Sequence, residues 1–385
     1  RDYKVTGVQT CALPIFFALL QRQECAAWVR LFYTINDTEN GYHNETENGT
    51  LKEIIKENEF IGRISEVQKN SFTILYKNEE LPGKLKGRFY GMEAECIPVV
   101  GDYVKFIYNR DGDNMITEVC ERKGILKRPD QAKTGVEQYM AANVDYTFIV
   151  TALNQNYNYN RITRYASVAL QGNSIPVVIL TKVDLCTNPG RYVTEVEGIS
   201  DKVRVHAVSA LYEIGMEELK EYMRPDVTIC LVGSSGAGKS TLLNAIAGSE
   251  VMKTSSVRES DARGRHTTTH RQLYVCDCGT TIIDMPGMRE IGMADVGEGI
   301  EDTFADIAEL EHMCRFSDCR HDNEPGCAVR EAIANGRLTE ERLRLYKSLM
   351  AENERNYAKK KQISKWIKQE KKQGKRNGIS GKIYV

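Results

Sequence analysis

The stretch Val227-Thr-Ile-Cys-Leu-Val-Gly-Ser-Ser-Gly-Ala-Gly-Lys-Ser-Thr-Leu-Leu-Asn244 decides the fold. Its first six residues are apolar or β-branched, the signature of a strand buried on both faces of a parallel sheet. The run breaks into Gly233-Ser234-Ser235-Gly236-Ala237-Gly238-Lys239-Ser240-Thr241, which fits G-x-x-x-x-G-K-[ST]; an apolar helical pattern follows at Leu242, Leu243 and Ala245. Strand, glycine loop and helix in that order are the context that makes the pattern a phosphate-binding loop rather than an ordinary glycine turn. The glycines let backbone N–H groups converge on phosphate oxygens, and the helix N-terminus adds partial positive charge. Lys239 is expected on the β- and γ-phosphates and the Ser240 hydroxyl on Mg²⁺.

Upstream of this loop, strands alternate with helices. Asn143–Thr151, Ile175–Leu180 and Val203–Val208 read as strands, and Arg161–Gln171 and Leu211–Met223 as helices. Such alternation gives a parallel sheet with helices on both faces, and ligands gather at the carboxyl ends of its strands. Four motifs fall at such ends: Thr181-Lys182-Val183-Asp184, Ser209-Ala210, the glycine loop, and Asp284-Met-Pro-Gly287 after the strand Thr280–Ile283. A carboxylate at Asp184 can accept paired hydrogen bonds from guanine N1–H and N2, which adenine does not offer, so the site selects guanine. Lys182 packs along the base, and Ser209-Ala210 brings a backbone N–H to guanine O6.

The motif order is unusual. The guanine-reading motifs precede the phosphate loop, whereas an unpermuted GTPase chain begins with that loop. The sheet is unchanged if the chain termini have moved, as circular permutation allows.

Outside this core, five short β runs lie between Phe60 and Glu121: Phe60–Ile64, Ser71–Tyr76, Lys84–Tyr90, Tyr103–Tyr108 and Met115–Val119. They imply a small oligonucleotide-binding (OB) type β-barrel. Phe72, Tyr76, Phe89, Tyr90, Tyr103, Phe106 and Tyr108 interleave with Arg63, Lys84, Lys86, Arg88 and Lys105. This suits a base-stacking face, and equally a barrel interior filled by alternate aromatics. Residues 122–143, with Arg122, Lys123, Lys127, Arg128 and Lys133, read as a basic linker. Cys314-x4-Cys319-x-His321-x5-Cys327 offers three thiolates and an imidazole, the donor set of a closed structural Zn²⁺ site. Cys96, Cys120, Cys186 and Cys230 sit in apolar runs and read as small core residues. Ala328–Ala351 reads as helices, and 359–376 as a basic tail with nine Lys/Arg against Glu370.

These motifs resemble the circularly permuted, ribosome small subunit-dependent GTPase A family. The resemblance runs from Phe60 to Tyr357 and rests on TKVD (181–184), GSSGAGKST (233–241), GRHTTT (264–269), DMPG (284–287) and the cysteine cluster. It implies a GTPase that binds the small ribosomal subunit and its rRNA late in maturation, hydrolyses GTP to GDP and phosphate, and is thereby released. Asp284 is expected on Mg²⁺ through water and Gly287 N–H on the γ-phosphate. Met288, where many GTPases keep a water-orienting glutamine, cannot hydrogen-bond water. Thr268 is expected to complete the Mg²⁺ shell; His266 either orients the attacking water or is an exposed loop residue touching RNA.

The expected division is a leader and linker over 1–58, a barrel over 59–121, a permuted GTPase domain over 122–295, and a zinc-binding helical domain with a basic tail over 296–385. Arg1–Asn36 lacks an initiating Met and reads as non-native or unstructured; 36–50 is polar and linker-like. A net charge of −1 over 385 residues says nothing about partners until its distribution along the chain is read. The eleven cysteines lack even spacing, and no apolar run approaches the ~18 residues that span a bilayer, so a cytoplasmic, reduced, monomeric protein is expected. Two other readings stay open: an RNA-binding protein with GTP as a structural ligand, and another P-loop nucleotide hydrolase.

Overall fold

The computed structural model describes residues 59–376, apart from 69–70, 90–91, 130–136, 156, 235, 248–271 and 286–295. The expected leader and linker over 1–58 lie outside the described residues.

The barrel is built from β1 (Glu59–Val67), β2 (Phe72–Tyr76), β3 (Glu79–Leu85), β4 (Tyr103–Ile107) and β5 (Asn114–Val119). Its strand order is β1-β2-β3-β5-β4, with β4 pairing back onto β1 to close it. All pairs are antiparallel except β3 with β5. Ile64, Phe72, Ile74, Phe89, Val104, Phe106 and Ile116 fill the interior. Five strands are therefore present as expected, but the third lies at Glu79–Leu85, not Lys84–Tyr90, where Gly87–Phe89 forms a 3-10 turn instead. Its Pro82 carbonyl accepts from Asn114 Nδ2 at 2.9 Å, which accommodates a residue that reads as a strand breaker.

Residues 122–143 are a hairpin of β6 (Ile125–Pro129) and β7 (Glu137–Ala142), not a linker. Leu126, Met140 and Ala141 enter the main core. Basic residues that suggested a linker have partners where described: Arg122 grips the buried Asp102 carboxylate at 2.8 and 2.7 Å, and Arg128 meets Gln138, while Lys133 lies outside the described residues.

The central sheet contains β8 (Tyr146–Ala152), β9 (Ile175–Thr181), β10 (Arg204–Val208), β11 (Thr228–Gly233), β12 (Gln272–Val275) and β13 (Thr281–Asp284). The order is β10-β9-β8-β11-β13-β12; only β12 runs antiparallel. Counted from β11 through β12 and β13 and then on to β8, β9 and β10, the order reads 6-5-4-1-3-2. The sheet is thus an ordinary wound one with its chain order rotated. Successive residues serve opposite faces: Val178 and Leu180 enter one core, Val177 and Ile179 the other.

The helices are α1 (Tyr159–Gln171), α2 (Pro189–Glu197), α3 (Met216–Leu219), α4 (Lys239–Ala247), α5 (Gly297–Thr303), α6 (Ala305–Glu311), α7 (Ala328–Ala334) and α8 (Glu340–Arg376). Asn158 and Asn188 cap α1 and α2, each side chain accepting from the N–H three residues on. The expected helix over Leu211–Met223 reduces to α3 and a 3-10 turn at Lys220–Tyr222, since 209–214 is a tight turn closed by Ser209–Ile214 bonds. The basic tail is the distal part of α8, a continuous helix of 37 residues.

The barrel and the C-terminal helices both pack against the sheet. Arg63, expected on a nucleic-acid face, instead donates to Thr281 Oγ1 (3.1 Å), Thr228 Oγ1 (2.8 Å) and Gly101 O (3.2 Å), tying the barrel to β11 and β13. Phe304, Ile307, Val329, Leu343 and Leu349 share a core with Val178, Leu180 and Val232. Arg342 on α8 bonds both Asp306 oxygens and the carbonyls of Ile199 and Thr303. Among the described residues no helix is long and apolar enough to cross a membrane.

Candidate functional site

All of β11 is buried, and it ends at Gly233, where the chain turns away from the sheet. Gly233 has φ +142°, and a Cβ there would stand 2.2 Å from the Val150 carbonyl oxygen on β8. No other residue fits that bend. Gly236 (φ +75°) and Gly238 (φ +91°) continue the curl, and α4 begins at Lys239. The loop leaves between β11 and β8, where the winding reverses and wound sheets bind their ligands.

Lys239 Nζ donates to the Gly233 and Ser234 carbonyls, each at 2.9 Å, so its charge lies over the loop mouth. Ser240 follows in the first turn of α4, and Thr241 is exposed. The Ser234 hydroxyl oxygen is buried without a partner among the described residues. Ser235 lies outside the described residues.

Asp284 ends β13, in register with Leu231 of the loop strand. Burial raises its pKa, against the opposing effects of the Lys239 charge and the Met285 N–H. Its Oδ1 is buried and without a hydrogen-bond partner among the described residues. A buried carboxylate oxygen with free lone pairs, beside Lys239 and the start of α4, fits Mg²⁺, which takes hard oxygen donors and keeps several waters.

The guanine-type motif leaves the end of β9. Thr181, placed among the nucleotide contacts by its motif, is 4% exposed; its hydroxyl donates to the Ala237 carbonyl at 2.6 Å. It lies under the loop and joins the two motifs. Lys182 adopts left-handed backbone (φ +60°), the strand-to-turn reversal that leaves Asp184 exposed on the 3-10 turn Val183–Leu185. Ser209 and Ala210 follow β10, whose Val208 is in register with Thr181. The Ser209 N–H is taken by the Ile214 carbonyl at 2.9 Å. His266, Thr268 and Gly287 lie outside the described residues.

The second site is the cysteine cluster. The ligand atoms of Cys314, Cys319, His321 and Cys327 all lie within 4.8 Å of one another. His321 Nδ1 stands 3.4 Å from Cys327 Sγ and 3.7 Å from Cys314 Sγ, and the two sulfurs are 3.9 Å apart. Tetrahedral Zn²⁺ with ordinary bond lengths requires S···S of about 3.8 Å and S···N of about 3.6 Å. The donor set fits the metal in kind, and Cys314, His321 and Cys327 fit it in spacing. Gly326, at φ +74°, turns the chain back so that its carbonyl accepts from Arg315 N–H. Cys327 also caps α7, its sulfur accepting from Arg330 N–H.

Among the other cysteines, Cys230 is buried, Cys120 and Cys186 are half-buried, and Cys96 is exposed rather than in the core. In the barrel, Phe72, Phe89 and Phe106 point inward. Tyr76 meets Phe106 edge to face and Phe60 meets it tilted, and Tyr108 packs edge-on against Phe60 while 42% exposed. The aromatics therefore divide between core and surface.

The rotated strand order, the glycine loop at the winding reversal and a carboxylate-bearing turn beside it define a circularly permuted P-loop GTPase. The chain belongs to the RsgA GTPase family, whose model matches residues 119–294. A second model, described as 50S ribosome-binding GTPase, matches 228–372, the part that starts at the loop strand. A Listeria monocytogenes protein named small ribosomal subunit biogenesis GTPase RsgA 1 is 41% identical over 279 residues, covering 72% of this chain and 79% of its own. A Methanosarcina acetivorans protein of the same description is 39% identical, covering 76% and 79%. The crystal structure of YjeQ from Thermotoga maritima matches with a TM-score of 0.56 and 29% identity, covering 76% of this chain and 98% of that one. YloQ, described as a circularly permuted GTPase, matches with a TM-score of 0.54 at 23% identity and supports the fold.

Proposed function

We propose that this chain is a GTP hydrolase acting in biogenesis of the small ribosomal subunit, and that hydrolysis to GDP and phosphate drives its release from that subunit. The observation that carries the reading is the Thr181–Ala237 hydrogen bond, which fixes a guanine-type carboxylate turn to a phosphate loop. The relatives' names supply the small subunit.

In this reading Asp184 accepts from guanine N1–H and N2, Lys182 lies along the base, and the Ala210 N–H meets O6. Thr181 positions the loop. The N–H groups of residues 233–241, Ser235 included, cradle the phosphates, and Lys239 leaves its two carbonyls for the β- and γ-phosphate oxygens. Ser240, Thr268 and Asp284 hold Mg²⁺, Asp284 through water. Mg²⁺ draws negative charge from the phosphates when bound. Gly287 N–H meets the γ-phosphate, and His266 orients the attacking water. Met288 leaves turnover slow until a partner completes the site.

Cys314, Cys319, His321 and Cys327 hold one structural Zn²⁺. The basic run on α8 and the exposed barrel aromatics contact rRNA. The protein works in the cytoplasm as a monomer, with domains divided near residues 58, 121 and 295.

Guanine selection is tested by Asp184→Asn. Xanthine carries O2 where guanine has its amine, so an amide at 184 matches xanthine and leaves guanine's N2–H₂ facing another N–H₂. The variant should lose GDP binding by roughly 10²-fold or more and gain XDP binding. Unchanged GDP affinity would sink the assignment.

A further inference from the structure

The metal-ligating imidazole of His321 is held from its far side. Nδ1 faces the sulfurs, and Nε2 meets Glu311 Oε1, the last residue of α6, at 2.8 Å. The other Glu311 oxygen accepts from the Tyr346 hydroxyl on α8 at 3.0 Å. The backbone of His321 is held as well. It has φ +57°, a conformation that costs a non-glycine residue, and its carbonyl accepts from Arg330 Nε at 2.7 Å and Lys347 Nζ at 3.4 Å. Lys347 also pairs with Asp322 at 2.7 Å. Two consecutive residues of α8, Tyr346 and Lys347, thus grip the imidazole through Glu311 and the main chain directly. His321 and Tyr346 are each 5% exposed, and the Glu311 carboxylate between them is partly exposed.

A ring with Nε2–H donated to a carboxylate presents its Nδ1 lone pair to the sulfurs. That is the tautomer a tetrahedral Cys3His site needs, and a carboxylate behind the ring raises the basicity of the ligating nitrogen. We propose that Glu311 is a positioning residue that sets His321 as an Nδ1 metal ligand, and that Tyr346 secures it, making the metal centre and the base of α8 one structural unit. The consequence reaches beyond the knuckle: the metal holds the first turns of the helix whose distal part carries nine Lys/Arg over 359–376. The inference rests on the metal reading above, so its test must fail separately from that reading.

The experiment uses the full chain loaded with Zn²⁺, or with Co²⁺ as a spectroscopic stand-in. Metal content is measured by atomic emission, and affinity by competition with a chromophoric chelator. Wild type should bind one Zn²⁺. Glu311→Gln, which keeps the shape but not the charge, should still bind one, with affinity lowered roughly 10- to 100-fold. Its Co²⁺ d–d bands should shift. Tyr346→Phe should shift both readouts in the same direction by less, and Asp318→Asn, exposed on the same knuckle, should shift neither. Amide exchange over 340–350 should rise when the metal is removed from wild type, and in Tyr346→Phe with metal bound. Zinc-free wild type would overturn the metal reading and this inference with it. One Zn²⁺ in wild type, with Glu311→Gln unchanged in affinity and spectrum, would overturn this inference alone. If Glu311→Gln does not fold, Tyr346→Phe decides by the same two measurements.

Discussion

Replacing Thr181 with valine tests the join between the two nucleotide motifs. Thr181 is 4% exposed and its hydroxyl donates to Ala237 O at 2.6 Å, with a weak second contact to Thr151 O at 3.5 Å. Valine keeps the branched shape but strands the Ala237 carbonyl in a site that excludes water. The net worth of a neutral buried hydrogen bond is about 1 kcal/mol, and a buried acceptor left unpaired costs about 1–3 kcal/mol. If the whole cost falls on the nucleotide-ready form of the loop, GDP affinity drops about 5- to 150-fold, at about 1.4 kcal/mol per factor of ten. If it falls on the fold instead, the melting temperature drops by roughly 2–10 °C. Thr181→Ser keeps the hydroxyl and should restore most of the loss. Titration with a fluorescent guanine nucleotide and a thermal melt measure both channels. Wild-type affinity together with wild-type melting in Thr181→Val would refute the claim that this hydroxyl holds the loop.

Three further outcomes are expected. Arg63→Met removes a guanidinium shared by Thr228, Thr281 and Gly101, and should destabilise the chain by about 2–3 kcal/mol, read as a lower denaturation midpoint. Asp102→Asn breaks a carboxylate that is 0% exposed and bonded to Arg122 and Val99 N–H; a loss of about 3–5 kcal/mol should follow, visible in the same assay. Asp284 carries a raised pKa because burial disfavours its charge. A raised folded-state pKa means that its stability contribution is present at low pH and is lost as pH rises through that pKa. Asp284→Asn should therefore melt no lower than wild type without nucleotide at neutral pH, yet lose Mg²⁺-dependent GTP binding. In wild type that binding should weaken on acidification sooner than an ordinary aspartate would allow, as a titration from pH ~8 to ~5 would record.

The legible parts of the molecule were those whose chemistry is local in sequence. The glycine loop, TKVD and the cysteine knuckle each lie within a few residues, and their spacing carries the geometry that the sheet then assembles. What escaped was set by distant partners. The third strand read as Lys84–Tyr90, yet β3 starts at Glu79, because β2 pairs with Glu79–Gly83 and β5 with Gly83–Leu85. The charges of 122–143 read as a solvated linker because Asp102, the partner of Arg122, lies twenty residues earlier. Arg63 looked free for RNA, but its partners are 38, 165 and 218 residues away. Glu311 and Tyr346 belong to no motif; only the packing of α8 on the knuckle makes them neighbours of His321. The distal basic run was recognisable by composition, but its helical continuity with α8 was not.

The central claim is that this permuted sheet is a guanine-nucleotide switch answering to the small ribosomal subunit. The most direct test is GTP turnover by the purified chain alone, with small subunits and with large subunits, using Lys239→Ala as control. The account predicts slow turnover alone, strong stimulation by small subunits only, and no turnover in the variant. Equal, slow turnover under every condition would contradict it and leave a nucleotide-stabilised RNA binder.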